Sequence, residues 1–192
     1  EFNRDSIIRA MVGRSLSNEL YSNAPRKNRA AGEKVLGVQN LSMGSMVRNN
    51  SFSIYAGQIT GIFGLVGSGR TETAKVIAGV QKRNYFHGGE VKLFGESVRY
   101  RVPRPAVKDG IVYVTEDRKV EGFFETMSIA DNLYSGLLGA DLNTAAVVNH
   151  ASAKVLADEW TRKLNIRVIN SNARVIELSG GNQQKVVIAS GL

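Results

Sequence analysis

The chain has 192 residues, 43% of them hydrophobic and 22% charged, with three prolines and no cysteine. That length buries a real core in one domain with room for a subdomain; the missing thiols exclude disulfides, thiolate metal sites and thiol catalysis, and no apolar run approaches the ~18 residues of a membrane span. The formal charge of +8 lies in the first 108 residues, because residues 109–192 are net −2, a bias that suits an anionic partner (nucleotide phosphate, nucleic acid or an acidic membrane surface) or else marks a solvated basic face.

The elements follow in chain order. Ser6 to Arg14 can form a short helix with Ile7, Ile8, Met11 and Val12 on one side. Residues 15–34 are polar, with Pro25 and Gly32, and read as linker. Val35–Leu41 and Ser51–Tyr55 alternate apolar and polar residues, the pattern of half-buried antiparallel strands. Ile59–Phe63 is a dense apolar run and predicts a strand buried on both faces of a parallel sheet. A glycine-rich turn follows, and Thr71–Val80 reads as a helix. Glu90–Phe94 and Val98–Val102 predict another strand pair, and Gly110–Thr115 a second buried strand. Residues 128–169 turn helical, with Ser128 and Asp131 forming a capping-box-like start.

Two stretches carry chemistry. The first is Gly64-Leu-Val-Gly67-Ser68-Gly69-Arg70-Thr71-Glu72, set between an apolar run and a helix. It matches G-x-x-x-x-G-K-[ST] with Arg70 in place of lysine. Glycines let successive backbone N–H groups ring a phosphate, and the following helix points its positive end at the same anion. Thr71 supplies a hydroxyl to Mg²⁺. Arginine keeps the charge but is wider, planar and forked. The competing reading is a bare strand–helix turn, which the strand–loop–helix context disfavours. The second stretch is Leu178-Ser179-Gly180-Gly181-Asn182-Gln183-Gln184-Lys185 before an apolar helix. Small residues there leave N–H groups and a hydroxyl facing outward; a plain capped helix start, with Ser179 at the cap, is the alternative.

Together these motifs resemble the nucleotide-binding domain of ATP-binding cassette (ABC) transporters. Leu178–Asn182 resembles that family's LSGGQ signature. LSGGNQQK, the Gly64–Glu72 loop, the stretch Tyr113–Lys119 and Ile8–Arg14 are similar to the second cassette of bacterial monosaccharide importer ATPases, of the ribose, galactose and xylose type. The resemblance implies an α/β P-loop fold with an antiparallel β subdomain and a helical subdomain. It divides the chain into a linker (1–34), a β subdomain with the phosphate-loop core (35–127), a helical subdomain (128–177) and the signature with its helix (178–192). It implies ATP and Mg²⁺ as cofactors. The nucleotide would be held by Gly64, Gly67, Ser68, Gly69, Arg70, Thr71 and Glu72, and the metal by Thr71 and Glu116, the latter at the Q-loop position. Leu178, Ser179, Gly180, Gly181 and Asn182 would form the signature. Cassettes commonly stack adenine on an aromatic; here Met43, Met46 or Val47 would have to serve.

The same resemblance implies partners: a second cassette, transmembrane permease subunits touching Phe123, Phe124 and Met127, and indirectly a periplasmic sugar-binding protein. No nucleic acid is expected, because the basic run Arg99, Arg101, Arg104 and Lys108 has little aromatic interleaving. The location implied is the cytoplasmic face of the inner membrane. The activity implied is energising the import of a simple sugar as a second, degenerate cassette; the alternative is a noncatalytic module completing the partner cassette's ATP site. Beyond Leu192 the family has a further apolar strand, a catalytic Glu and a switch His. The chain is therefore expected to be a piece cut after the signature, without ATPase activity of its own. The chain is expected to self-associate, or to have a rearranged or partly disordered sheet around 59–64 and 111–115, with the helical stretch 128–169 least affected.

Overall fold

The computed structural model describes residues 32–140, 150–167 and 172–191. The expected short helix at 6–14, most of the linker, and parts of the helical stretch at 141–149 and 168–171 lie outside the described residues.

One antiparallel sheet is built from β1 (Lys34–Met43), β2 (Val47–Tyr55), β3 (Glu90–Leu93) and β4 (Glu96–Val98), in the order β2-β1-β3-β4. Its register joins Leu36 to Ile54 and Leu93, and Val38 to Phe52 and Val91. The alternation of the sequence thus puts one set of side chains on one face. That face meets helix α1 (Arg70–Ile77), whose Val76 and Ile77 close a core with Leu36, Val38, Leu41, Val47 and Val91. After β4 comes a short helix α2 (Pro103–Lys108), hidden in the sequence by its basic residues but begun, as proline allows, at the first turn.

A second core joins α3 (Ile129–Ala140), α4 (His150–Lys163) and α5 (Gly180–Ser190). Ile129, Leu133, Ala157, Ile166, Val175, Val186 and Ala189 form it, with Trp160 and Leu156 packed at its side. The Ser128 hydroxyl accepts a hydrogen bond from the Asp131 N–H at 3.0 Å and donates to its carboxylate at 2.6 Å, the capping arrangement the sequence predicts. α3 and α5 cross closely at Gly136, where an added Cβ would collide with the Ser190 carbonyl.

The reading of Ile59–Phe63 and Gly110–Thr115 as buried strands is corrected by the structure. Neither segment joins a ladder, and Phe63 is 93% exposed. The physical reason is the lack of a neighbour: a strand apolar on both faces holds its place only between two others, and among the described residues no strand runs beside either segment. In place of a sheet, a cavity of about 810 Å³ opens between Ile111–Thr115 and the helical core, lined by Val112, Tyr113, Leu133, Trp160 and Val187.

Candidate functional site

The loop Gly64–Thr71 leaves the exposed run and enters α1 through Gly69, which is left-handed at φ 77° and lies beneath the Met46 carbonyl, 2.3 Å from where a Cβ would be. Only glycine satisfies both conditions. Gly67 is also left-handed, at φ 81°. Gly64 lies under Ser68 and close to Arg70, so a side chain there would collide with the Ser68 hydroxyl. The base of the loop is braced from the sheet: Asn50 Nδ2 donates to Thr73 Oγ1 at 2.8 Å, and Thr73 Oγ1 donates to the Gly69 carbonyl at 2.6 Å. Asn50 and Thr73 were not singled out in the sequence; a threonine one turn into the helix after a phosphate loop is the signal that was there to read.

Thr71 and Glu116, 45 residues apart, are brought together: Thr71 Oγ1 donates to Glu116 Oε1 at 2.9 Å. An octahedral Mg²⁺ with ligands at about 2.1 Å holds adjacent ligand oxygens roughly 3 Å apart, so this pair fits two neighbouring positions of such an ion. Magnesium usually takes one or two protein oxygens and fills its shell with phosphate oxygens and water. One hydroxyl and one carboxylate oxygen suit that habit.

Glu116 belongs to a braced turn. The Asp117 N–H donates to Thr115 Oγ1 at 3.1 Å, and Asp117 caps a π-helical turn, Arg118–Gly122, by accepting from the Val120 N–H at 3.3 Å. Glu121 on that turn receives Lys75 Nζ of α1 at 2.6 Å and the Thr115 hydroxyl at 3.0 Å. These bonds hold the Glu121 carboxyl below its usual range, and Glu121 in turn raises the Lys75 ammonium.

The signature stretch begins α5, with Ser179 at the N-cap. Its hydroxyl does not cap the helix; it accepts from Asn182 Nδ2 at 3.1 Å. Asn182 also exchanges bonds with the backbone of Arg167, at 3.3 and 3.4 Å. Asn182 is thereby occupied in holding the chain after α4, as is Lys185, whose ammonium reaches the Asn165 carbonyl at 2.7 Å. Gly181 faces open space. The phosphate loop and the signature therefore remain two separate features, joined by the 115–122 turn: Arg118 Nε donates to Gln183 Oε1 at 3.2 Å.

One expectation needs correction. Val47 is fully buried in the sheet core, so it offers no surface to a base, whereas Met46 is 59% exposed. Phe123 packs on the helical core, leaving Phe124 and Met127 as the outward residues of that loop, at 58% and 39% exposure. Asn132, unremarked in the sequence, sets this loop. It is buried, accepts from the Phe124 N–H at 2.7 Å, and donates to the carbonyls of Phe124 and Ser128 at 3.0 and 2.9 Å. Its signal was an amide on the apolar face of α3, between Ile129 and Leu133.

Comparison with known proteins places this geometry. The family model for ABC transporters matches residues 47–192. The chain is 36% identical over its whole length to the ribose import ATP-binding protein of Caldanaerobacter subterraneus subsp. tengcongensis, of which it covers 37%. It is 41% identical over 98% of its length to a ribose import ATP-binding protein of Rhizobium etli, covering 36% of it. It is 37% identical to the D-allose import ATP-binding protein of Escherichia coli, covering 38% of it. The chain thus spans somewhat over a third of the length of these curated relatives. Its fold is that of solved P-loop cassettes: a nucleotide-free ATP-binding cassette from an ABC transporter superposes at a TM-score of 0.66 with 22% identity, over 83% of this chain and 65% of that one. The matched loop, signature and fold lead to one conclusion, that the chain belongs to the ABC transporter family.

Proposed function

We propose that the chain binds ATP with Mg²⁺ at Gly64–Thr71 and forms part of the ATP-binding subunit of a sugar importer, as the second of two cassettes. The observation that carries the binding is the Thr71–Glu116 pair beside a loop that turns through two left-handed glycines, Gly67 and Gly69. Gly67, Ser68 and Gly69 would surround the phosphates, with Arg70 and Thr71 beginning the helix behind them and Glu72 in its first turn. When bound, Mg²⁺ screens the phosphate charge. Thr71 and Glu116 orient it, and Lys75 and Glu121 keep the turn bearing Glu116 in place. The exposed Phe124 and Met127 are the residues we assign to contact with permease subunits at the cytoplasmic face of the inner membrane, where a periplasmic sugar-binding protein would act from the other side.

A noncatalytic reading is favoured by one feature. Arg70 replaces a compact point charge with a forked plane, which suits holding phosphate better than following its transfer. In that case Ser179, Gly180 and Gly181 would complete the ATP site of the partner cassette.

Titration calorimetry with ATP and Mg²⁺ tests the proposal. Binding is expected at about millimolar ATP or below, worth about 4 kcal/mol or more, and Thr71→Val should weaken it only when Mg²⁺ is present. No heat and no thermal shift at millimolar ATP would overturn it. Equal affinity with and without Mg²⁺ would remove Thr71 and Glu116 as metal ligands.

A further inference from the structure

The loop from Lys82 to Gly89, between α1 and β3, presents two aromatic rings to solvent on a braced base. Tyr85 is 71% exposed and Phe86 76%, and their rings meet edge to face, 4.9 Å between centroids and 83° apart. Asn84 pins the base to the β1–β2 turn. Its N–H donates to the Ser42 carbonyl at 3.0 Å, and its Oδ1 accepts from the Gly44 N–H at 2.8 Å. Gly88 folds back against it, so closely that an added Cβ would lie 2.1 Å from the Asn84 carbonyl. That carbonyl also accepts from Arg99 Nη2 at 3.1 Å, which ties in the chain just after β4.

Cations surround the rings. The Arg99 guanidinium lies over Tyr85, 5.5 Å from the ring centroid. Lys82 and Arg99 are exposed. Arg83 is half-buried, and its Nε and Nη1 have no partner. Burial first, and then the Arg99 charge, lower the Arg83 guanidinium from its usual value. Glu90 draws it the other way, but Glu90 is itself engaged by Lys92 at 3.3 Å. Residues 82–108 hold seven Lys or Arg against two Glu, so positive charge is in excess here.

Single exposed aromatics are ordinary on a protein surface. A preordered pair ringed by cations suits the boundary between water and an anionic lipid leaflet, where rings bury carbon while Lys and Arg meet phosphate. A single-stranded nucleic acid would need a flat ring face on which to stack its bases. Here Arg99 covers one face of Tyr85 and the two rings stand nearly perpendicular, so the pair forms a wedge rather than a shelf. We propose that this loop docks the chain directly on anionic phospholipid, with Tyr85 and Phe86 entering the headgroup layer and Lys82, Arg83 and Arg99 against the phosphates. The contact needs no nucleotide and is separate from the permease contact assigned to Phe124 and Met127.

Flotation of the whole chain with vesicles of equal parts phosphatidylcholine and phosphatidylglycerol tests this, with pure phosphatidylcholine beside them. Binding is expected to the anionic vesicles alone, and it should weaken as salt rises. One basic residue near an anionic leaflet is worth about a fivefold gain in binding, so Lys82→Gln should lose about that much. Tyr85→Ser with Phe86→Ser should lose at least as much with an unchanged melt, because both side chains are exposed. The exposed apolar run at Ile59–Val66 is the rival contact, and Phe63→Ser with Leu65→Ser should leave binding intact. No binding, or equal binding to both kinds of vesicle, overturns the proposal. So does binding lost on changing Phe63 and Leu65 but kept on changing Tyr85 and Phe86. Capture of a single-stranded oligonucleotide in place of vesicles, abolished by the Tyr85 and Phe86 changes, would give the surface to nucleic acid and overturn it as well.

Discussion

Gly69 shows how one residue can be fixed by two independent constraints. A β-carbon there meets the Met46 carbonyl, and the left-handed backbone costs a side-chain residue roughly 1–2 kcal/mol before any clash. Gly69→Ala is expected to lose about 2 kcal/mol or more of stability in thermal melts, together with ATP binding by calorimetry; a melt within about 0.5 kcal/mol of wild type would refute the clash. Tyr100 offers a spectroscopic handle. Burial first, and then its hydrogen bond to Asp109, push its phenol up to about 12. A folded-state value raised in this way means the contribution is complete below the ordinary tyrosine range and is lost as pH rises through about 12. Ultraviolet titration should therefore find a late tyrosine step near pH 12, and Tyr100→Phe should remove it. At this scale the sequence singled out two residues that the structure brings into contact, Thr71 and Glu116. It was silent on Asn132 and Gln183, because a buried amide is defined by what surrounds it, and neither neighbourhood is local in the chain.

Among elements, the loop before α3 depends on Asn132 for its shape. Asn132→Leu keeps the helix but strands the N–H and carbonyl of Phe124, and each buried group left unmet costs about 1–3 kcal/mol. A fall of several degrees in the melting midpoint is expected, with the exposure of Phe124 changed; an unchanged melt would mean water takes over both bonds. The α1-to-turn tie has a pH signature whose sign can be worked out. The Glu121 carboxyl is lowered by Lys75 first and Thr115 second, so its stabilisation is present above the ordinary glutamate range and is lost as pH falls through the lowered value. Lys75 is raised, so its share is present below the ordinary lysine range and is lost as pH rises beyond it. Glu121→Gln should cost at most about 1 kcal/mol at pH 7, since the pair is partly exposed. The two proteins should converge once the pH has fallen below the lowered carboxyl value; a gap that persists in acid would assign the effect to shape rather than charge. Strand and helix positions were legible because alternation and helical spacing are local. The π turn and α2 were not, the first because its bonds come from side chains of distant elements, the second because its six residues, two prolines and two basic residues among them, show no apolar period.

At the scale of the molecule there are two cores and an opening between them. The apolar runs at 59–63 and 111–115 were legible as strand material, yet strand formation is a property of neighbours, and the described residues supply none. What is left is a run of exposed apolar side chains, Ile59, Ile62, Phe63, Leu65 and Val66. Such a run beside unpaired backbone invites association between chains. Sedimentation velocity should show a coefficient that rises with concentration, and Phe63→Lys with Leu65→Lys should lower it. A monodisperse monomer at all concentrations would mean that the apolar run finds cover within its own chain.

The same stretch from Ile59 to Ser68 is exposed throughout and carries no ladder. A protease needs about that much extended, accessible backbone to close on its substrate. Brief digestion should therefore nick the chain here first, cutting β2 away from α1 while both stay packed in one core, so that the two pieces migrate together until denatured. Occupation of the phosphate loop would cover the end of this stretch at Gly67 and Ser68, and the cleavage rate would then report the nucleotide without any chemistry being measured.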